Sequence, residues 1–502
     1  MAFGHAAGTA AAALSAGPRS VGSYQHHRPE QTLLYQIVAQ HYPTFRDVME
    51  AQDRELPAYV RREFDDFLKC GRLEHGFLRV HCDSCHAEHL VAFSCKRRGF
   101  CPSCGARRMT ESAALLVDDV LPHQPVRQWV LSFPFQLRYL FANRPALMGQ
   151  VLGIVYRVIA THLIKKAGFT HQNARTGAVT LIQRFGSALN LNLHFHMLFL
   201  DGVYVDDPHK GLRFVRVKAP SHEELAALVG TIARRVGRKL ERQGLLERDI
   251  ENSYLSAEAV DDDPMAQLQG HSITYRIAVG RQAGRKVFTV QTLPASDKTN
   301  DDRVGKMAGF SLHAGVAAGA DERDKLERLC RYISRPAVSE KRLSLTSNGQ
   351  IRYRLKTPYR DGTTHVIFEP MDFIARLAAL VPKPRVNLTR FHGVFASNSK
   401  HRALISPSGR GKGRRSGSTD DQLDLSPVER RASMTWAQRL KRVFNIDINT
   451  CRECGGSVRV IACVEDPVVI KKILEHLEGK EGSSRETVLP EGRAPPPLGL
   501  FA

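Results

Sequence analysis

The run Leu191-Asn192-Leu193-His194-Phe195-His196-Met197-Leu198-Phe199-Leu200 sets two histidines around one phenylalanine. In a β-strand the side chains alternate, so His194 and His196 share one face and Phe195 points to the other. Two imidazoles placed this way can share one divalent metal ion. The same run also reads as a strand with two half-buried, hydrogen-bonded histidines.

Cysteines supply the second chemistry. Cys82-x2-Cys85 and Cys101-x2-Cys104 are two knuckles with fifteen residues between them. Four thiolates at this spacing predict one tetrahedral zinc site, each knuckle giving two ligands. Cys70, Cys95, His75, His81, His86 and His89 lie nearby and could replace a ligand or hold a second ion. Cys451-x2-Cys454 is half a site, which Cys463 and His476 could complete at irregular spacings. Arg97, Arg98 and Arg107 crowd the first cysteine cluster, and basic loops on a zinc fold are a common way to hold DNA.

A third candidate is Tyr332, in Asp324-Lys325-Leu326-Glu327-Arg328-Leu329-Cys330-Arg331-Tyr332-Ile333-Ser334-Arg335-Pro336. Helical spacing brings Lys325, Arg328 and Arg335 to its face. A phenol with a pKa near ~10 is a weak nucleophile at neutral pH. Neighbouring cations and a metal-polarised phosphate lower that barrier. The alternative is an amphipathic tyrosine at a core edge beside solvated arginines.

These residues need elements to hold them. Apolar spacing predicts one or two helices over 31–66, a helix over 145–167, a charged helix over 222–244, and helices near 321–334 and 370–381. Strands are expected at 128–133, and at 178–185 and 191–200 as an antiparallel hairpin. Two more are expected at 272–279 and 286–293. Asn348-Gly349 marks a further hairpin across 342–356. Six segments follow: an unstructured extension (1–30), a helical and zinc-binding DNA-recognition domain (31–112), a catalytic domain (113–405), a Ser/Gly/Arg-rich linker (406–433), a small basic module (434–480) and a loose tail (481–502). Within the basic module, Trp436 to Phe444 has the pattern of a basic amphipathic helix.

The chain has 502 residues, 72 Lys plus Arg against 51 Asp plus Glu, and a formal charge of +21. That balance favours a polyanionic partner. The longest apolar stretch, 146–164, contains Gln150, Arg157 and His162 and reads as an amphipathic helix, so no membrane span is expected. The alanine-rich start has no basic n-region, which argues against a signal peptide. A cytoplasmic, nucleoid-associated protein is expected, where reduced thiols bind metal.

Several phrases recur in order: Ser94-Cys95-Lys96-x-Arg98-x2-Cys101-Pro102-x-Cys104-Gly105, Gln183-Arg184-Phe185-Gly186-x2-Leu189-Asn190, His194-Phe195-His196, Arg331-Tyr332-Ile333-x-Arg335-Pro336 and Asn387-Leu388-x-Arg390-Phe391-His392-Gly393-Val394-Phe395. With these, the chain resembles the rolling-circle transposases of bacterial insertion sequences, in the HUH endonuclease superfamily, and within them the branch of the common-region elements. The resemblance covers about residues 30–405. It implies an α+β fold, an HUH-type antiparallel sheet with flanking helices preceded by a zinc-ribbon-like module. It implies that His194 and His196 hold Mg2+ or Mn2+, with Gln183 on the partner strand as the candidate third ligand, and that Zn2+ is structural. It also implies that Tyr332 attacks single-stranded DNA at transposon ends, leaving a 5′-phosphotyrosine and a free 3′-OH. Part of the family uses two tyrosines one helical turn apart; here Arg328 and Pro336 occupy those positions, so a single-tyrosine scheme is expected. A plasmid replication initiator or relaxase with the same chemistry, or a non-catalytic zinc DNA-binding protein, are the alternatives. Whether the protein forms a homo-oligomer is left open by the sequence.

Overall fold

The computed structural model describes residues 22–23, 28–207, 211–248, 253–256, 263–295, 304–409, 446–447, 450–451 and 453–481. The expected helix over Trp436–Phe444, the tail beyond 481, most of the extension and most of the linker lie outside the described residues.

Two helices come first, α1 (Leu33–Glu50) and α2 (Ala58–Lys69). Strands β1 (Phe77–Cys82) and β2 (Glu88–Ala92) precede α3 (Pro102–Ala114), which a wider turn extends over Leu115–Val120. Next come β3 (Val126–Ser132), α4 (Phe135–Asn143) and α5 (Pro145–Lys166). The hairpin β4 (Gly177–Phe185) and β5 (Leu191–Leu200) follows, then α6 (His222–Glu241) and α7 (Pro264–Ile273). Strands β6 (Val304–Met307) and β7 (Phe310–Ala318) lead to α8 (Arg323–Ile333), which carries Tyr332. Finally there are α9 (Pro370–Leu380), β8 (Thr389–Gly393), α10 (Arg402–Ile405), β9 (Val458–Val464) and α11 (Pro467–Glu481).

The main sheet is antiparallel throughout, in the order β6-β7-β3-β5-β4-β8, so the histidine strand is internal. Both faces of β5 are covered, which is why its sequence is apolar at nearly every position. Leu191, Leu193, Phe195, Met197 and Phe199 enter a core with α4, α5 and α6. The Phe195 ring meets Phe133 edge-on, 4.8 Å between centroids. Leu198 and Leu200 face the other way, into a core built from the α3 extension and from Leu326, Cys330 and Ile333 of α8. The histidines share that second face, because they are in phase with Leu198 and Leu200.

A second sheet runs Phe288–Gln291, Thr363–Phe368, Ile351–Arg354, Leu343–Leu345, with the Asn348-Gly349 turn joining its last two strands. With α1, α2 and α9 it forms a second core that includes Phe100, Cys101 and Cys104.

Two expectations are corrected. Residues 272–279 are not a strand: Asp263 caps the Ala266 N–H at 2.6 Å, Pro264 starts α7, and that helix runs to Ile273. The part of the 434–480 module described from Thr450 onward is not a separate unit. Its strand β9 pairs antiparallel with β1, Cys82 opposite Val458 and Phe77 opposite Val464, giving a ribbon β9-β1-β2. By length and composition α5 could also cross a bilayer. Leu147, Met148, Val151, Leu152, Val155 and Ile159 are instead buried in the main core.

Candidate functional site

The sheet registers assemble the site. His196 lies opposite Val130 of β3 and Leu181 of β4, and His194 lies opposite Ser132 and Gln183. Cross-strand partners share a face, so Gln183 joins the two histidines. The imidazole centroids are 4.8 Å apart. His194 Nδ1 donates to the Asn192 carbonyl at 2.8 Å. That bond fixes the tautomer and leaves the lone pair on Nε2. His196 Nδ1 lies 2.7 Å from Gln128 Nε2, and its own Nε2 is buried with no partner. As placed, the Gln128 amide donates to Nδ1 and the His196 proton sits on Nε2. Turning the carboxamide over, which exchanges its nitrogen and oxygen without changing its shape, gives the proton to Nδ1 and frees the Nε2 lone pair for a metal. Burial pushes His194 down to about 4, aided by the Arg335 and Arg138 charges. Burial, His194 and Arg335 hold His196 well below its ordinary value. Both rings are therefore neutral at pH 7, the state that binds metal.

The tyrosine helix closes on this face. Gln183 Nε2 donates to the Ile333 carbonyl at 3.2 Å, tying the residue after Tyr332 to the partner strand of the histidines. Arg335 Nη1 donates to the Tyr332 carbonyl at 2.8 Å and its guanidinium lies 4.3 Å from the Tyr332 ring centroid. Lys356 Nζ sits 4.1 Å from the same centroid. Of the cations expected around Tyr332, Arg335 is in place, Lys325 pairs with Glu322 at 3.1 Å, and Arg328 is exposed. Lys356 was not legible in the sequence, since it comes from the loop after the second hairpin. Tyr353, on that hairpin, is fully buried and its hydroxyl accepts from the Ser339 N–H at 3.4 Å.

Beside Tyr332, a pocket is lined by Arg97, Arg98, Arg108, Arg184, Gln183 and Arg335 among others, and no carboxylate lines it. Burial lowers the guanidinium pKa of Arg98 and Arg335, and takes Arg184 down to about 10. Arg184 and Arg335, desolvated and with no carboxylate beside them, favour an anion, while Glu63 offsets part of the Arg98 charge. Three of these arginines also hold structure. Arg98 donates to the Val386 carbonyl at 2.7 Å, Arg97 to Asp66 at 2.6 Å, and Arg184 to the Leu380 carbonyl at 3.3 Å. Arg107 lies outside the pocket lining and donates to Glu111 at 3.1 Å.

The thiols do not form the single site that spacing predicts. Cys101 and Cys104 join Cys70 and Cys95, whereas Cys82 and Cys85 join Cys451 and Cys454; within each group the sulfurs lie within 4.8 Å of one another. The reason is local. Cys101 caps α3 and Cys104 sits in its first turn, facing the end of α2 where Cys70 lies. Cys82 and Cys85 turn at the far end of the ribbon. In the first group the Cys70–Cys104, Cys70–Cys101 and Cys95–Cys104 separations are 3.7, 3.7 and 3.4 Å. A tetrahedral zinc with bonds of about 2.3 Å has sulfur edges of about 3.8 Å. The Cys101, Cys70 and Cys95 thiols and the Lys96 N–H hold the Cys104 thiol well below its ordinary value. His75, His81, His86 and His89 belong to neither group, and His81 and His86 contact each other at 3.3 Å. Cys463 faces Glu465 at 3.7 Å and His476 is exposed on α11, so neither completes the Cys451 knuckle.

This cluster and the active face touch. A Cβ on Gly105, in α3, would lie 2.6 Å from Pro336 Cβ, so only glycine allows the zinc helix to reach the loop after Tyr332.

Residues 37–133 match the family model described as "Transposase zinc-binding domain", and residues 177–402 match the one described as "Putative transposase". No curated protein and no solved structure matches. The cysteine clusters fit the structural zinc that the first description names. The chain thus carries the zinc-binding and transposase domains of an insertion-sequence transposase of the IS91 family.

Proposed function

We propose that this transposase nicks single-stranded DNA at element ends and transfers strands through a phosphotyrosine on Tyr332. The observation that carries the reading is the meeting of two neutral imidazoles, His194 with a free Nε2 lone pair and His196 with a buried, unpartnered Nε2, and an arginine-flanked tyrosine on one face of one sheet. His194 and His196 would hold Mg2+ or Mn2+, and the Gln183 oxygen is the candidate third ligand, its nitrogen being engaged by Ile333. The metal, when bound, supplies Lewis-acid polarisation of the scissile phosphate.

The remaining steps belong to the chain's own groups. Arg335 and Lys356 flank the Tyr332 ring, where their charges would balance those of the attacking oxygen and the phosphate. The phenolate oxygen forms a bond to phosphorus, the P–O3′ bond breaks, and the 3′-oxygen leaves and takes up a proton. The DNA is left with a 5′-phosphotyrosine and a 3′-OH. Attack by another 3′-OH reverses the step and joins strands without hydrolysis. The arginine pocket, with Arg97 and Arg98 from the zinc domain, receives the flanking phosphates. A buried Tyr353 supports a single-tyrosine scheme. The protein works in the cytoplasm, where the element's DNA lies. A replication initiator would share the chemistry but not the matched zinc-binding domain.

The test uses 5′- and 3′-labelled single-stranded oligonucleotides from the flanks of the gene, with Mg2+ or Mn2+, on denaturing gels. A metal-dependent adduct on the 5′-phosphate end of the break, retaining the 3′ label and not the 5′ label, is expected, and it is lost in Tyr332→Phe and His194→Ala. DNA binding with no adduct on any flanking sequence refutes the reading.

A further inference from the structure

We infer that the chain carries a second structural zinc, held by Cys82, Cys85, Cys451 and Cys454, which fastens the C-terminal segment to the N-terminal zinc-binding domain. The matched zinc-binding model stops at residue 133, so it does not contain half of these ligands.

The two knuckles are the same turn used twice. In each, two residues separate the cysteines, and the residue after the second cysteine is left-handed: His86 at φ 60° and Gly455 at φ 75°. In each, that residue's N–H donates to the carbonyl of the first cysteine at 3.0 Å, His86 to Cys82 and Gly455 to Cys451. The turns face one another. Cys82 and Cys454 sulfurs are 3.5 Å apart, Cys85 and Cys451 sulfurs 3.4 Å apart. All four lie within 4.8 Å, as a tetrahedral site requires and as two bonds of about 2.05 Å do not. The Gly456 N–H donates to the Cys454 sulfur at 3.3 Å.

The surrounding contacts need such a fastener. The hydrophobic cluster beneath the ribbon has three buried residues, Phe77, Val464 and Ile470. Among the described residues one ion pair, Arg459 to Asp83 at 2.9 Å, crosses the junction, and it is exposed. Small folds with so little core rely on metal or disulfides. The two ends of this site are 366 residues apart in sequence, from Cys85 to Cys451, so the ribbon is complete only when the C-terminal segment is present.

The experiment uses the full chain purified under reducing conditions without chelator. Metal analysis is expected to give two zinc ions per chain, and one in Cys451→Ser/Cys454→Ser. Alkylation mapped by mass spectrometry is expected to find Cys82 and Cys85 protected in the wild type and reactive in that variant. Cys70, Cys95, Cys101 and Cys104 should stay protected in both, the internal control that the variant remains folded. One zinc in the wild type, or Cys82 and Cys85 equally reactive in both proteins, overturns the inference. So does a protein four mass units lighter, with two disulfides in place of zinc. Neither result bears on strand cleavage, which Tyr332 tests separately.

Discussion

Gln128 is the residue on which the metal reading can be pressed hardest. It sits on β3, buried, with its carboxamide 2.7 Å from His196 Nδ1. A metal on His196 Nε2 needs the proton on Nδ1, and therefore the Gln128 oxygen turned to the ring. Replacing Gln128 by Leu keeps the volume and the apolar surroundings but strands that Nδ1 proton in a site with almost no solvent. An unpaired buried donor costs about 1–3 kcal/mol. The ring can escape that cost by moving the proton to Nε2, which removes the lone pair a metal needs. Loss of such an outer partner lowers metal affinity by about 10–100-fold, or about 1.4–2.7 kcal/mol. Gln128→Glu, which still accepts from Nδ1–H, should bind at least as tightly as wild type. The assay is a Mn2+ titration of the full chain, with free Mn2+ followed by electron paramagnetic resonance, beside the Mn2+ dependence of adduct formation. A Leu variant with unchanged thermal stability and an unchanged Mn2+ midpoint would falsify the assignment of His196 as a ligand positioned by Gln128.

Three further outcomes are expected. His194 is neutral in the fold, with a pKa near 4 against 6.5 unfolded, so the unfolded chain binds the extra proton between those values. In the metal-free protein, stability should therefore fall as pH drops from about 6.5 to about 4, by about 3 kcal/mol for this residue. Urea midpoints at pH 7 and 4.5 should show a smaller loss for His194→Asn; an equal loss refutes it. Asp201 pairs with buried Arg127 through both oxygens at 2.8 Å. Asp201→Ala should cost about 3–5 kcal/mol in urea unfolding, and a loss under 1 kcal/mol would mean that Arg127 finds solvent. Gly105→Ala forces a Cβ against Pro336 and should cost about 1–3 kcal/mol. It should also slow adduct formation on Tyr332 with DNA affinity retained, whereas unchanged kinetics would show the loop to be insensitive to the zinc helix.

The alternation of the histidine strand was readable because period two survives even when both faces are buried: His194 and His196 had to share a side, and Gln183 had to join them once the hairpin closed. Tyr332 and Arg335 were readable from local spacing, lying three residues apart, Tyr332 in the last turn of α8 and Arg335 just past its cap Ser334. The failures have a common physical origin. Knuckle spacing says which cysteines form a turn but not which turns meet, and here the partner of Cys82 and Cys85 comes from the other end of the chain. Lys356 and Gln128 are brought in by tertiary packing that no local pattern encodes. Residues 272–279 misled because their β-favouring side chains outweighed Asp263-Pro264, a helix start that was there to be read.

The ribbon order β9-β1-β2 also sets a clock. During synthesis β1 pairs with β2 within a few residues, and Cys70, Cys95, Cys101 and Cys104 are all made by residue 104. The other edge of β1 waits for β9, which ends at residue 464. At about 5–20 residues per second, that interval lasts from about twenty seconds to more than a minute. Meanwhile, the strand edge and two thiols stand open on the ribosome. Tyr332 and both histidines are made well before that edge is covered. A chain released early would carry its nucleophile together with an unfinished ribbon, a mark by which quality control could separate it from the finished protein.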